Sequence, residues 1–211
     1  MNYKDALAKF SQYYKDRYAV EFPTILSLCD FRNKKVLEIG PAEGYFVEEA
    51  SKLTNDIATS ENSVDLSFPD KSFDTVISRW VAQNIDDLEK SVKEMCRVSS
   101  SNVIIVLPSE EGDETKLLEV KFPDKSDSRK KRSMDIKKWI LESGFNVKEE
   151  RRLLKFLFPD ADEAIEIFSA LGFDNSLSDE ERLSLKEFLL ERKKKDGVHL
   201  TQGASFICGY K

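Results

Sequence analysis

Apolar and polar positions along the chain follow two alternating periods, which predicts an α/β protein. Short apolar runs of strand length predict strands at Val36–Gly40, Ile57–Ser60, Thr75–Trp80, Val103–Leu107, Asn146–Leu154 and Ser205–Tyr210. Segments with helical spacing are Tyr3–Leu28, Tyr45–Leu53, Leu88–Arg97, Met134–Ser143, Asp162–Leu171 and Ser178–Lys195. Strands that alternate with helices indicate a Rossmann-like, mostly parallel sheet with helices on both faces.

The turn after the first strand carries the main functional signal. The apolar run Val36–Ile39 contains Glu38, and it leads into Gly40 and then Gly44. Such strand–turn–helix openings seat nucleoside-bearing cofactors in α/β sheets. Gly40 would allow a sharp turn, and Gly44 would let the next helix pack close to the strand. An acid before the turn suits a cofactor with a cationic amine, and Ala42 breaks the Gly-x-Gly-x-x-Gly pattern of nicotinamide sites.

A second acid stands at cofactor spacing. Glu61 lies seventeen residues after Gly44, and one helix with a short turn fills this interval. Glu61 is therefore predicted at the tip of the second strand, where a carboxylate can accept both hydroxyls of a ribose. A polar turn at Asp65–Ser72 then leads into a buried strand.

Together these motifs resemble class I S-adenosylmethionine-dependent methyltransferases of the type 11 group. The resemblance runs from about Lys34 to Val106, and it includes a Leu-x-Phe-Pro-Asp-x-Ser-Phe-Asp segment that starts at Leu66. It also includes the helix Leu88–Val98 and the later stretch Ser133–Phe145. The resemblance implies S-adenosyl-L-methionine as the cofactor.

The resemblance also implies a site. Cofactor contacts are expected from Tyr14, Glu38, Gly40, Ala42, Gly44, Glu61, Asn62, Asp65, Leu66 and Ser78. Substrate contacts are expected from the end of the strand that faces the methyl group, at Arg79, Trp80 and Gln83. Tyr14 has two interpretations: core packing, which is favoured, and closure over the methionine end of the cofactor, as an N-terminal aromatic residue does in similar enzymes. Arg79 would hold an acidic acceptor or pair with a local carboxylate such as Asp86.

The chain departs from the family between its second and third predicted strands. Glu61 and Leu66 are only five residues apart, whereas relatives have a further helix and strand there. The sheet is therefore predicted to lack one helix–strand unit of the usual seven-stranded arrangement, which leaves the adenine side of the pocket short and open. An alternative alignment makes Ile57–Ser60 the third strand, with Asn62 as an adenine contact. Ser99–Asn102 replaces the usual Pro-Gly-Gly turn.

Composition bounds the organisation of the chain. Its 211 residues, 40% hydrophobic and 34% charged, indicate a soluble globular protein. We predict one domain over 1–211, with an N-terminal helical cap at 1–33, a cofactor half at 34–110 and a substrate half at 111–211 that contains a helical insertion at 160–195. The chain shows no signal peptide or membrane-spanning run, which predicts a cytoplasmic location. Three widely spaced cysteines predict reduced, buried thiols and no metal site.

Several segments have two interpretations. Asp113–Arg132 is polar and without a clear period, which predicts a lid or a disordered loop. Its basic run Arg129–Arg132 is predicted to be solvated, with contact to RNA phosphates or an acidic substrate as the alternative. Phe156–Pro159 is predicted to pack on the sheet, with an acceptor cavity as the alternative. His199 is predicted at the surface or at a strand edge.

The main functional hypothesis is methyl transfer to a small molecule. The sulfonium is already activated, so placement in a dry pocket can supply most of the rate, and no catalytic residue is assigned. One alternative is a methyltransferase for RNA or protein, although the net charge of −6 argues against nucleic acid. The other is a non-catalytic binding protein with this fold, which Ala42 and the missing unit favour and which Glu38 and Glu61 disfavour. The sequence leaves the oligomeric state open.

Overall fold

The computed structural model describes residues 1–14, 16–40, 44–173 and 176–211. Within these ranges the α-helices are Tyr3–Tyr13 (α1), Phe22–Leu28 (α2), Tyr45–Ala50 (α3), Leu88–Val98 (α4), Asp113–Glu119 (α5), Lys125–Glu142 (α6), Ala161–Gly172 (α7) and Asp179–Leu190 (α8). The strands are Val36–Ile39 (β1), Ile57–Ser60 (β2), Phe73–Arg79 (β3), Ser99–Gly112 (β4), Asn146–Phe158 (β5), Lys193–Lys194 (β6) and Gly197–Tyr210 (β7). A π-helical turn at Arg17–Glu21 and a 3₁₀ turn at Ala82–Asn84 complete the elements.

The strands form one sheet in the order β2-β1-β3-β4-β7-β5, and the two-residue β6 pairs with β7. β1 pairs in parallel with β2 and β3, and β3 pairs in parallel with β4. β6 is antiparallel to β7. The predicted fold class, a mostly parallel sheet flanked by helices, is confirmed.

The shortened connection is also confirmed. Residues 61–72, all of them described, contain turns and bends but no helix or strand. β2 pairs directly with β1, which is the arrangement that the strand-two alignment predicts. Arg97 of α4 holds the connection in place because its guanidinium donates to the carbonyl oxygens of Leu66 and Phe68, each at 2.9 Å.

The chain divides into two compact units. The first unit comprises Met1–Val20, Ser109–Lys130 and Arg152–Gly203; the second comprises Glu21–Pro108, Lys131–Arg151 and Ala204–Lys211. β4, β5 and β7 contribute residues to both. The single domain predicted from composition is not tested by this division and stays a prediction.

The second unit is built on an apolar core. β1, β3 and the middle of β4 are nearly continuously buried, as expected for parallel strands that are covered on both faces. α4 buries one side, including Val92 and Met95, against this sheet, and the Asp87 side chain caps its first turn. The core therefore fixes the positions at which β1 and β3 end.

The first unit contains an aromatic cluster. The ring of Phe10 stacks on Phe156 with 4.5 Å between centroids, and Tyr13 and Phe168 contact Phe158. Phe156 and Phe158 are buried. The packing interpretation of Phe156–Pro159 is thus confirmed for these two rings. The predicted capping box of α8, between Ser178 and Glu181, is present.

Three predictions about local structure were wrong. The predicted helix Tyr3–Leu28 is divided into α1, the π-helical turn and α2, because Pro23 fits a helix start better than a helix interior. Ser99–Asn102 continues into β4 instead of forming a turn. Asp113–Arg132 is not a disordered loop, because α5 and the start of α6 occupy most of it, and its role as a lid stays a prediction.

The basic run also differs from its prediction as a solvated loop. It lies within α6, and Arg129 is buried in the first unit. The Arg129 guanidinium donates to Glu114 Oε1 at 2.8 Å and to Thr115 Oγ1 at 2.6 Å. Arg129 is therefore an internal counter-ion, and the run supplies fewer surface charges than its sequence indicates.

Candidate functional site

Glu38, Gly40, Glu61 and Ser78 of the predicted cofactor set lie in or directly after β1, β2 and β3 in the second unit. Gly40 follows β1 with a φ of 67°, and its N–H donates to the carbonyl of Ser60 at 2.8 Å. A side chain at Gly40 would collide, because a Cβ there would lie 2.9 Å from Cγ1 of Val81. The sharp turn predicted at Gly40 is confirmed.

Gly44 has a different role from the one predicted. It precedes α3 with a φ of 68°, and no heavy atom lies within 4 Å of the position of an added Cβ. Close packing of helix on strand therefore does not explain this glycine, whereas its left-handed backbone conformation does. Ala42, the third predicted loop contact, lies outside the described residues.

Glu38 lies in the middle of β1 and is 1% exposed. Its Oε1 accepts a hydrogen bond from Arg79 Nε at 3.2 Å, and its Oε2 has no hydrogen-bond partner among the described residues. Burial raises the pKa of this carboxyl, the positive charge of Arg79 lowers it, and the net result is a raised pKa. Glu38 thus presents one free buried acceptor atom.

Arg79, at the end of β3, is an internal cation. Its Nη1 lies 2.7 Å from Glu21 Oε1, and its Nη2 lies 3.1 Å from Glu38 Oε1. The guanidinium also lies over the rings of Tyr45 and Phe46, at 5.0 and 5.3 Å from their centroids. Arg79 does pair with a carboxylate, but its partners are Glu21 and Glu38 and not Asp86.

The residues after Arg79 form a tight turn. Trp80 has a φ of 58°, and its Nε1 donates to Glu21 Oε1 at 3.2 Å. Gln83 Nε2 donates to the carbonyl of Trp80 at 2.5 Å. The predicted substrate residues Arg79, Trp80 and Gln83 are thus close together. Gln83 is held by a bond within the turn, whereas the side chains of Arg79 and Trp80 are held by Glu21.

On the adenine side the predicted residues are less enclosed. Glu61 directly follows β2, as its spacing predicts, and is exposed; its contact with a ribose stays a prediction. Asn62 Oδ1 accepts from the backbone N–H of Val64 at 3.0 Å and of Asp65 at 3.3 Å, which stabilises the turn. Asp65 is exposed, whereas Leu66 is 3% exposed and packs in the hydrophobic core.

Ser78 and Tyr14 complete the predicted set. Ser78 is buried in β3, and its hydroxyl has no hydrogen-bond partner among the described residues. Tyr14 belongs to the first unit, where its ring stacks on Phe156 with 5.0 Å between centroids. This contact agrees with the core-packing interpretation of Tyr14.

Sequence reasoning missed Glu21 and Val81. Glu21 is 0% exposed, although it is charged, and it directly precedes the apolar helix α2. A lone acid within the apolar run Tyr18–Ile25 is a signal for a buried ion pair, because such charges are almost never buried without a partner. Val81 carries no comparable signal, since only the fold brings it onto Gly40.

The other predicted features are placed as follows. Cys29, Cys96 and Cys208 are free and buried, as predicted. His199 is half-buried in β7, and its Nε2 lies 2.8 Å from Asp196. In the parts of the chain that the structure describes, no group of three or more His, Cys, Asp and Glu side chains could hold a metal ion. No helix in those parts is long and apolar enough to cross a membrane.

Comparisons with known proteins concern the family and the fold. Residues 41–107 match the family described as "Methyltransferase domain". A protein from Bacillus halodurans that is provisionally named a methyltransferase superposes with a TM-score of 0.60 at 14% identity, over 92% of this chain and 99% of its own. The YcgJ protein of Bacillus subtilis superposes with a TM-score of 0.57 at 18% identity, over 90% and 97%. No curated protein matches the chain.

A third solved structure contains ligands. Phosphoethanolamine N-methyltransferase 2 of Haemonchus contortus, in complex with phosphomonomethylethanolamine and S-adenosylhomocysteine, superposes with a TM-score of 0.51 at 15% identity. The superposition covers 92% of this chain and 52% of that protein. The resemblance to class I S-adenosylmethionine-dependent methyltransferases is therefore confirmed, and at these identities the solved structures show the fold alone.

Proposed function

We propose that this chain binds S-adenosylmethionine where β1 and β2 end in the second unit and transfers its methyl group to a small molecule. The observation that carries the proposal is the free Oε2 atom of Glu38. A buried carboxylate oxygen without a partner is costly, and a ligand cation that donates to it removes this cost. The α-amino group of S-adenosylmethionine is such a cation.

The remaining described residues fit the same ligand. Glu61 lies one strand away from Glu38 and is exposed, so its carboxylate is free to accept the ribose hydroxyls. Gly40, which lies between them, keeps the end of β1 free of a side chain of its own. When bound, the cofactor supplies an electrophilic methyl group. The task of these residues is to bind and orient it, which is the main requirement for an already activated sulfonium.

A small acceptor is favoured over nucleic acid by charge. The net charge is −6, and Arg129 of the basic run is consumed by Glu114. A surface that binds RNA needs several free cations that face the phosphates.

A second candidate function rests on Arg79. Because its guanidinium already neutralises Glu38, the same geometry is expected of a non-catalytic protein in which an internal cation has replaced the ligand. Such a protein would use the methyltransferase fold to bind a partner.

Calorimetric titration with S-adenosylmethionine and S-adenosylhomocysteine separates these candidates. We expect binding of both ligands, and a loss of about ten- to a hundredfold in affinity for Glu38→Gln, since a charge-assisted hydrogen bond contributes about 1.5–3 kcal/mol. Glu89→Gln, a surface carboxylate on α4, is the matched control. Equal affinity in both variants would exclude the site at Glu38.

The acceptor class needs a separate measurement. The enzyme is incubated with methyl-labelled S-adenosylmethionine and a cell extract separated into metabolites, RNA and protein. We expect label in the metabolite fraction. Label in RNA or protein would replace the small-molecule proposal, and cofactor binding without any transfer would support the non-catalytic candidate.

A further inference from the structure

The segment Arg79–Gln83 directly follows β3 and has an unusual backbone. Trp80 has a φ of 58°, a conformation that a bulky residue rarely adopts unless the surrounding structure imposes it. Its N–H still donates to the carbonyl of Val106 at 2.8 Å, so the last sheet bond is kept. Asn84 N–H then bonds to the carbonyl of Val81 at 2.8 Å and closes a turn. Such strain indicates a functional constraint.

Two side chains of this segment cover the atoms that the proposed ligand needs. Arg79 donates to Glu38 Oε1, which leaves only Oε2 for a ligand. The methyl groups of Val81 lie 2.9 and 3.0 Å from the position of a Cβ on Gly40. A ligand atom that contacts Gly40 on the side of this Cβ position would therefore also contact Val81.

Arg79 has a second carboxylate partner, Glu21, that remains when its bond to Glu38 breaks. Glu21 Oε1 accepts from Arg79 Nη1 at 2.7 Å and from Trp80 Nε1 at 3.2 Å. Because Glu21 is buried, the guanidinium keeps a buried counter-ion even when its bond to Glu38 breaks. The charge cluster therefore permits two arrangements, one with Arg79 on both carboxylates and one with Arg79 on Glu21 alone.

We infer that Arg79–Gln83 is an autoinhibitory latch: Arg79 holds Glu38 through Oε1 and competes with the ligand ammonium for this carboxylate, Val81 lies against Gly40, and the cofactor binds tightly only after the segment moves. This inference rests on the proposed function. A ligand that binds only the open arrangement has a measured affinity equal to its intrinsic affinity multiplied by the fraction of open molecules. Release of the strained Trp80 backbone favours opening.

The first test weakens the latch and measures binding of S-adenosylhomocysteine, which needs no catalysis. Val81→Ala removes the two methyl groups over Gly40, and we expect the affinity to rise about three- to tenfold as the open fraction increases. Val147→Ala makes the same change at a partly buried position on β5 and should leave the affinity unchanged. Urea unfolding of both variants checks that they are folded.

Arg79→Lys distinguishes a latch from a positioning role, because the two predict opposite changes in affinity. Lysine keeps the charge but cannot form the same two-sided contact with Glu21 and Glu38. A latch predicts tighter binding in Arg79→Lys, because a competitor of the ligand has been weakened. A guanidinium that only positions Glu38 for the ligand predicts weaker binding, and that result would overturn the inference.

A spectroscopic readout follows the segment itself. The chain has two tryptophans, Trp80 and Trp139, so Trp139→Phe leaves Trp80 as the only indole reporter. We expect S-adenosylhomocysteine to change the Trp80 emission, because the bond to Glu21 Oε1 must rearrange. Binding that leaves both the Trp80 emission and the Val81→Ala affinity unchanged would exclude the latch while keeping the proposed function.

Binding of S-adenosylhomocysteine by Val81→Ala and Arg79→Lys, but not by the unmodified chain, would support a closed latch. It would exclude a chain that has lost its cofactor site. Absence of binding in the unmodified chain, Val81→Ala and Arg79→Lys, with all three folded, would overturn the proposed function and the latch together.

Discussion

Two carboxylates on neighbouring strands, one within β1 and one directly after β2, differ in burial and in their partners. Glu38, on β1, is buried and paired with Arg79, whereas Glu61, after β2, is exposed. Burial makes the first a structural charge, since removal of its partner leaves an uncompensated ion in the core. Exposure keeps the second hydrated, so it contributes little to folding and remains available to a ligand. Both are predicted cofactor contacts, yet of the two the buried one already pairs with an internal cation.

The largest expected difference between the two regions is in stability. Arg79→Met leaves Glu21 and Glu38 without their buried cation, and we expect a loss of about 3–5 kcal/mol in the free energy of unfolding. Glu61→Ala should change it by less than about 0.5 kcal/mol. Urea unfolding at neutral pH measures both. A small effect at Arg79 would mean that the carboxylates find other partners or protons.

The first unit offers an independent test of the same rule. Arg129 and Lys130 are neighbours in one basic run, but Arg129 is buried on Glu114 and Lys130 is exposed. We expect Arg129→Met to lower the free energy of unfolding by about 3 kcal/mol and Lys130→Met to change it by less than about 0.5 kcal/mol. Equal effects from the two substitutions, measured by urea unfolding, would show that burial does not separate them.

These contrasts show which features of the fold and of the candidate site could be predicted from the sequence. The glycine turn, Glu61 and the short connection after β2 depend on local spacing, and the structure places them as predicted. The partners of Arg79 could not be read this way. Glu21 is fifty-eight residues away and Val81 reaches Gly40 only through the sheet, so both contacts depend on tertiary packing. The prediction that Arg129 is solvated was wrong for the same reason. In a run of four basic residues, the sequence does not show which side chain is buried.

The raised pKa of Glu38 gives a smaller, pH-dependent effect. A carboxyl whose folded pKa lies above its ordinary value of 4.5 binds a proton on folding. Its contribution to stability is complete below that ordinary value and is lost as the pH rises through the folded pKa. The unfolding free energy of the unmodified chain minus that of Glu38→Gln should therefore fall as the pH rises above 4.5.

Urea unfolding of both proteins over that range measures the difference. Glu89→Gln, which changes a half-exposed carboxylate on α4, is the control for the effect of the substitution itself. A difference that rises with pH at Glu38 would show that Arg79 lowers the folded pKa more than burial raises it.

The smallest expected effect concerns the open side of the site. If Glu61 accepts the ribose hydroxyls, each hydrogen bond at this exposed position should contribute about 1 kcal/mol, or about fivefold in affinity. Glu61→Ala should weaken S-adenosylhomocysteine binding accordingly. An analogue that lacks the 2′-hydroxyl should bind the unmodified chain more weakly than S-adenosylhomocysteine, and it should lose less than S-adenosylhomocysteine does on Glu61→Ala. This coupling separates a direct contact from a general charge effect, because a distant carboxylate would weaken both ligands equally. Equal losses would show that Glu61 does not contact the ribose. The proposed cofactor contacts would then be those of Glu38 and Gly40, in and directly after β1.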